Sequence, residues 1–123
     1  REFVYEIESD VFIVADRFKL QIVFDNLIEN AVKYSKQEIR ISIQKVDNNI
    51  HIKFADFGAG ITQADKLKIF EKFYRVGNED TRKSKGTGLG LYIVKRLADM
   101  HGAKISIHNN SPAGTVFQLN FPH

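Results

Sequence analysis

Ile50-His51-Ile52-Lys53-Phe54-Ala55-Asp56-Phe57-Gly58-Ala59-Gly60-Ile61 is the stretch from which the fold can be read. Ile50, Ile52 and Phe54 alternate with His51, Lys53 and Ala55, the period-two pattern of a strand with one buried face. Asp56 has the parity of the three apolar residues, so its carboxylate is expected to point inward. A buried carboxylate needs hydrogen-bond donors. Gly58 and Gly60 just beyond it let backbone approach a flat ligand without Cβ atoms in the way. The exocyclic amine of adenine would suit such a carboxylate. An aspartate capping an ordinary glycine turn explains the same residues, so the surrounding sequence has to decide.

Upstream, Ile39, Ile41 and Ile43 alternate in the same way, and Asp47-Asn48-Asn49 supplies a turn, which makes a hairpin of the two runs. Residues 4–7 and 11–14 read as two short strands. Asp16 then stands at a helix N-cap position. Leu20, Val23, Phe24, Leu27, Ile28 and Ala31 follow at helical spacing, so a long amphipathic helix runs to about Tyr34. Downstream, helical patterns cover residues 63–73 and 89–100, the latter stopping at His101-Gly102. Ile105 and Ile107, then Phe117, Leu119 and Phe121, mark two closing strands around a turn at residues 109–114. Helices on one face of a mixed sheet make an α+β fold, a two-layer α/β sandwich. Residues 77–86 form the one polar stretch long enough to be a mobile loop.

Composition narrows the function classes. The 123 residues suit one domain, and ten phenylalanines supply a core without disulfides or a structural metal. Cysteine is absent, so no secreted disulfide scaffold is indicated. No apolar run reaches the roughly 18 residues that cross a bilayer, and Arg1-Glu2-Phe3 is not a signal peptide. A cytoplasmic domain without membrane contact is expected, excerpted from a longer protein whose sensor or membrane segments lie upstream. Eighteen basic against 15 acidic residues leave only +3, too slight an excess to indicate nucleic-acid binding.

Three further segments carry chemistry. Asn26, Asn30 and Lys33 share a face of the long helix and Tyr34 sits beside it, lining one wall with two amides, a cation and an aromatic ring. An amide oxygen can ligand Mg²⁺, an ammonium can meet phosphate, and the ring can cover a base. Most polar helix faces are merely solvated, but two asparagines a turn apart in mid-helix carry a propensity cost that solvation gives no reason to accept. Lys85-Gly86-Thr87-Gly88-Leu89-Gly90-Leu91 precedes the third helix and offers glycine-rich backbone and unpaired helix N–H groups to an anion. It fits neither the Walker A spacing nor the dinucleotide fingerprint. Phe70-Glu71-Lys72-Phe73-Tyr74-Arg75 puts Phe70 and Phe73 on one side of the second helix, with Arg75 at its end able to face phosphate. A flexible glycine loop and a core helix with a surface cation explain the last two segments equally well when each is taken alone.

In their order, residues 26–31, 56–61, 70–75 and 86–90 resemble the N box, first glycine box, F box and second glycine box of the histidine-kinase catalytic domain, and the match covers nearly the whole chain. The resemblance implies a Bergerat ATP-binding fold with ATP and Mg²⁺ bound. Asp56 would hold the adenine amine, Asn30 would ligate Mg²⁺, and Asn26, Lys33 and Arg75 would lie near the phosphates. Tyr34 and Ile61 would flank the base. Residues 58–90 would form a lid over ATP, with Gly58, Gly60, Lys85, Gly86, Thr87, Gly88, Leu89 and Gly90 in its two glycine boxes and Phe70 and Phe73 anchoring it. Gly114-Thr115 looks like the late Gly-Thr pair whose hydroxyl supports the adenine site through water.

The implied reaction is donation of the γ-phosphoryl group to a histidine on a separate dimerisation domain, with a response regulator receiver domain as the next partner. The helical segment bearing that histidine is missing, and His51, His101, His108 and His123 lack its sequence context. The first three read as structural residues. The isolated fragment is therefore expected to bind ATP without efficient self-phosphorylation, and residues 75–85 are expected to be mobile without nucleotide. Fold relatives that hydrolyse ATP place a glutamate base one turn before the magnesium asparagine, where this chain has Asn26. Two alternatives remain beside the kinase reading: a nucleotide-binding regulatory module without catalysis, and a hydrolytic ATPase of the same fold. Asp56-Phe57-Gly58 also imitates the magnesium motif of Ser/Thr/Tyr kinases, but no His-Arg-Asp loop precedes it and its glycine-rich segment comes after it.

Overall fold

The computed structural model describes residues 2–74 and 89–122. Within these described residues, five strands and three helices follow in the order β1 (Phe3–Ile7), α1 (Arg17–Tyr34), β2 (Ile39–Val46), β3 (Asn49–Asp56), α2 (Gln63–Lys66), α3 (Gly90–Met100), β4 (Lys104–Asn109) and β5 (Thr115–Pro122). The strands form one sheet in the order β1-β2-β3-β5-β4. β1 runs parallel to β2 and the other pairs are antiparallel, so the sheet is mixed. The helices cover one face, giving the expected two-layer sandwich.

Alternation sets which face is covered. Ile50, Ile52, Phe54 and Asp56 on β3 and Phe117, Leu119 and Phe121 on β5 are buried, while the residues between them are only partly so. Against this surface α1 presents Val23, Leu27 and Ala31, and α3 presents Val94 and Ala98. Phe24 of α1 meets Phe54 edge-on at 5.3 Å between ring centroids, which fixes the helix over the centre of the sheet.

Two expected elements differ. Residues 11–14 are not a strand, although their alternation is real: Val11 and Ile13 pack against the core and Phe12 and Val14 are exposed. β1 and β3 already occupy both edges of β2, and Asp10, with φ of 62°, turns the chain out of the sheet. The helix expected over residues 63–73 ends at Lys66. Beyond it, Lys68 N–H to Asp65 O, Glu71 N–H to Lys68 O and Tyr74 N–H to Glu71 O are successive three-residue turns. These turns bring Ile69 and Phe70 inward and leave Phe73, with φ of 66°, 63% exposed. The shared anchoring face expected for Phe70 and Phe73 therefore does not form; only Phe70 reaches the core, edge-on to Phe117.

Asp16 is the N-cap of α1, its Oδ1 accepting the Phe18 and Lys19 N–H groups at 3.0 Å. The Asp16 N–H in turn donates to His101 Nε2 at 2.9 Å, so His101 donates from Nδ1 to the Leu97 carbonyl at 2.8 Å. The start of α1 and the end of α3 are thus tied together by a histidine with a structural role. The Lys19 amide, joined by that of Phe18, holds the Asp16 carboxyl below its ordinary value of 3.8. A lowered carboxyl contributes stability that is fully present above 3.8 and is lost as pH falls through the folded-state pKa. Asp16→Ala is therefore expected to lower Tm at neutral pH, with the deficit shrinking in acid. Thermal melts of both chains between pH 7 and pH 3 check this.

Candidate functional site

Asp56 ends β3 at 1% exposure with the inward orientation its parity required. Its Oδ1 accepts the Gly58 N–H at 3.0 Å and the Thr115 N–H at 3.3 Å. Both main-chain donors converge on one oxygen, and Oδ2 is the oxygen an incoming amine would meet. Burial raises the Asp56 carboxyl above 3.8, while the Gly58 and Thr115 amides oppose the rise without cancelling it. No cation balances this charge among the described salt bridges. A buried acceptor so arranged is costly in the empty protein, which is the arrangement expected where a ligand supplies the missing donor.

Glycines bring three backbones up to this residue. A Cβ on Gly58 would lie 1.9 Å from the Tyr34 carbonyl oxygen, and one on Gly114 would lie 2.1 Å from the Asp56 carbonyl oxygen. Both are far inside any real contact, so the end of α1 and the β4–β5 turn close on β3 only because those side chains are missing. Gly60 is needed for another reason: its φ is +84°, and a Cβ there would meet nothing nearer than 3.5 Å. Ile61 beyond it is buried.

The α1 wall runs from this point toward α3. Tyr34, at the Gly58 end, is half-buried and carries the Lys33 ammonium 5.3 Å from its ring centroid. One turn back, Asn30 holds a side-chain nitrogen that is buried without a hydrogen-bond partner. Another turn back, the Asn26 nitrogen donates to the Ile22 carbonyl at 2.8 Å, and its Oδ1 lies where a Cβ on Gly90 would come within 2.8 Å. Leu89 occupies the N-cap position of α3 and makes no side-chain cap hydrogen bond to that helix. The eight residue steps from Asn26 to Tyr34 span roughly 12 Å of helix, comparable to the distance from the phosphates to the base of a nucleotide.

The structure therefore gathers Asn26, Asn30, Lys33, Tyr34, Asp56, Gly58, Gly60, Ile61, Leu89, Gly90 and Thr115 around the ends of α1, β3 and α3. Phe73 is not gathered in; it stands exposed under the Lys72 ammonium, 5.4 Å from its ring. Arg75, Lys85, Gly86, Thr87 and Gly88, the mobile loop expected at 77–86 and residues 75–88 of the stretch expected to close over the ligand lie outside the described residues. Sequence reading missed Asn110, whose Nδ2 donates to the Asp56 carbonyl at 2.8 Å. Its only sequence signal was an asparagine-rich turn, which does not say which chain segment the turn will touch.

Among the described residues no cluster of three His, Cys, Asp or Glu side chains could hold a metal alone. A hard cation here would have to take amide oxygen together with oxygens of its own ligand. The orphaned side-chain nitrogen of Asn30 fits an oxygen of a phosphate or of a cation's hydration shell, which would supply the acceptor it lacks, and leaves the amide oxygen as the atom that could meet the cation.

Residues 15–123 match the family described as histidine kinase-, DNA gyrase B- and HSP90-like ATPases. The sensor protein CiaH of Streptococcus pneumoniae is 37% identical over 121 residues, covering 97% of this chain and 27% of CiaH. The chain thus spans 27% of the length of that curated relative. Among solved structures, the nucleotide-free catalytic domain of histidine kinase ThkA superposes with a TM-score of 0.84 at 30% identity, over 98% of this chain and 79% of that one. Full-length ShkA in complex with AMPPNP superposes with a TM-score of 0.83 at 27% identity, over 98% of this chain and 25% of ShkA.

Two measurements test the geometry without any ligand. Gly58→Ala is expected to destabilise the fold by about 1–3 kcal/mol in denaturant unfolding, because its Cβ meets backbone that cannot rotate away. Asp56→Asn should act in the opposite direction. A carboxyl raised on folding contributes stability that is fully present below 3.8 and is lost as pH rises through the folded-state pKa. The amide, which still accepts both N–H groups, escapes that loss, so the variant should melt higher than the parent at pH 7 and converge on it in acid. A lower Tm at pH 7 would show that the carboxylate is stabilised by something other than the two amides.

Proposed function

We propose that this chain, which belongs to the histidine kinase-, DNA gyrase B- and HSP90-like ATPase family and within it is a histidine-kinase catalytic domain, binds Mg-ATP and donates the γ-phosphoryl group to a histidine on a separate dimerisation domain. The observation that carries the reading is Asp56: a carboxylate 1% exposed, given two donors on one oxygen and rimmed by glycine backbone. It accepts the adenine amine, and Thr115 supports it from β5. Tyr34 and Ile61 flank the base.

At the other end, Asn30 would hold Mg²⁺ and Asn26 and Lys33 would face the phosphates, joined by Arg75 and the Gly86–Gly90 segment when the 58–90 lid closes. Bound Mg²⁺ would neutralise phosphate charge. The residues of this chain would orient the nucleotide so that its terminal phosphoryl faces outward, toward a nucleophile on the dimerisation domain. His51, His101 and His108 lie in β3, at the end of α3 and in β4, engaged in structural contacts, which supports an acceptor on another domain. Phosphate would then pass to a response regulator receiver domain, placing the domain in the cytoplasm with the ATP pool.

Asn26 favours transfer over hydrolysis. Its amide is occupied by the Ile22 carbonyl and carries no basic lone pair for a water proton, and Glu29 is on the exposed side of α1. A regulatory module that binds nucleotide without transfer would use the same residues, and it is separated from a kinase by supplying a histidine-bearing dimerisation domain and following phosphoryl transfer to it.

Calorimetric titration with a non-hydrolysable ATP analogue, with and without Mg²⁺, tests the nucleotide site. Saturable binding is expected, and Asp56→Asn should weaken it by about 10- to 100-fold, the effect of losing a hydrogen bond to a buried charge. An inosine analogue, which lacks the amine, should show the same loss on the parent chain. Equal affinity for both bases would remove Asp56 from the role assigned to it.

A further inference from the structure

The ladder between β3 and β5 is regular from Asn49 opposite Pro122 to Ala55 opposite Val116, and its next rung would pair Asp56 with Thr115. On the other side of β3, Asp56 faces Ile39, whose N–H is spent on Glu2 of the β1 side. The main-chain groups of Asp56 therefore point toward β5, where a regular rung would send the Thr115 N–H to the Asp56 carbonyl. It goes instead to the Asp56 carboxylate, at 3.3 Å to Oδ1. The carbonyl left behind is taken by the side chain of Asn110, with Nδ2 at 2.8 Å. The Thr115-donated half of that rung has been exchanged for two side-chain bonds.

Asn110 is built to make that exchange. Its Oδ1 accepts the Ser111 N–H at 2.9 Å and its own N–H donates to the Gly114 carbonyl at 3.0 Å, closing the turn that carries it. Flipping the amide would set oxygen against the Asp56 carbonyl and NH₂ against the Ser111 N–H, so these contacts assign its orientation. The Gly114 backbone, pressed against Asp56 as no residue with a Cβ could be, holds the turn at the right distance.

We propose that Asn110 is a positioning residue for nucleotide recognition: by occupying the Asp56 carbonyl it keeps the Thr115 N–H on the carboxylate, which is then held for the adenine amine. This rests on the reading of Asp56 given above. Without the Asn110 donor, the Asp56 carbonyl is a buried acceptor with the Thr115 N–H across the rung as its natural partner. The regular rung forms, and the carboxylate loses the donor that fixes it.

Two variants separate this role from turn formation. Asn110→Asp keeps the acceptor for Ser111 and the size of the side chain but loses the donor, and Asn110→Ala loses both. Each is titrated with a non-hydrolysable ATP analogue, beside Asp56→Asn, and the Thr115 amide resonance is followed by NMR from pH 7 to pH 3 in the parent and in Asn110→Ala. In the parent, that resonance should move with the Asp56 titration. Both Asn110 variants should bind about tenfold more weakly, equivalent to 1.4 kcal/mol. In Asn110→Ala the Thr115 resonance should no longer follow Asp56. Parent-like affinity in Asn110→Asp, or weakened binding with Thr115 still reporting the carboxylate, overturns the proposal. A parent resonance indifferent to Asp56 overturns it without any variant having to fold. Asp56→Asn binding as tightly as the parent would instead remove the underlying reading of Asp56, a failure distinguishable from both.

Discussion

The site depends on two places where main chain meets main chain more closely than a side chain permits. Gly58 against the Tyr34 carbonyl joins β3 to the end of α1, and Gly114 against Asp56 joins β3 to the β4–β5 turn. Neither contact is a strong attraction. Each is the absence of an obstacle, and the attraction comes from the hydrogen bonds that close approach allows, namely Gly58 N–H and Thr115 N–H to one carboxylate oxygen. Enlarge either glycine and the donors withdraw, leaving a charge in the core with nothing to meet it. Three elements far apart in sequence are thus held in register by the geometry around one aspartate.

Burial raises the carboxyl of that aspartate, and the sign of the shift is informative. Asp16 and Asp56 both accept two backbone N–H groups, yet the first is lowered and the second raised. The difference is solvent. Asp16 sits at an open helix start, where two amides outweigh a small loss of water, whereas Asp56 ends a central strand between sheet and helix, where the loss of water outweighs the same two amides. A structural cap resembles Asp16. A carboxylate kept in place at a cost resembles a group awaiting a ligand donor, which is why burial together with incomplete satisfaction carries more weight here than the Asp-x-Gly pattern by itself.

Much of this was legible in the sequence because it follows from period and parity. Alternation over Ile50, Ile52 and Phe54 put Asp56 on the inner face, and helical spacing put Asn26, Asn30 and Lys33 on one wall. The failures occurred where local pattern competes with long-range partners. Residues 11–14 alternate as a strand does, but no free edge beside β2 remained for them. Residues 63–73 have helical spacing, but seating Phe70 on Phe117 and Ile69 in the core draws the chain into three-residue turns. Asn110 was invisible because its contact with Asp56 spans 54 residues, and no local pattern encodes which carbonyl a turn asparagine will meet.

The arrangement along α1 also bears on which reaction such a site can run. In the proposed site one helix would carry the groups for both ends of a nucleotide, so the separation between base and phosphate would be set by helix rise and not by loop conformation. Rigidity of that kind favours an acceptor delivered from outside to a fixed phosphoryl position over an acceptor held within. Hydrolysis needs a base on the same helix to take a proton from water, and the position that could supply one is an asparagine whose nitrogen is tied to the Ile22 carbonyl and whose oxygen abuts the start of α3. An amide so held can orient a phosphate oxygen but cannot accept a proton at neutral pH. On the proposed reading, the domain would fix and present a phosphoryl group, and the nucleophile of a partner would complete the chemistry.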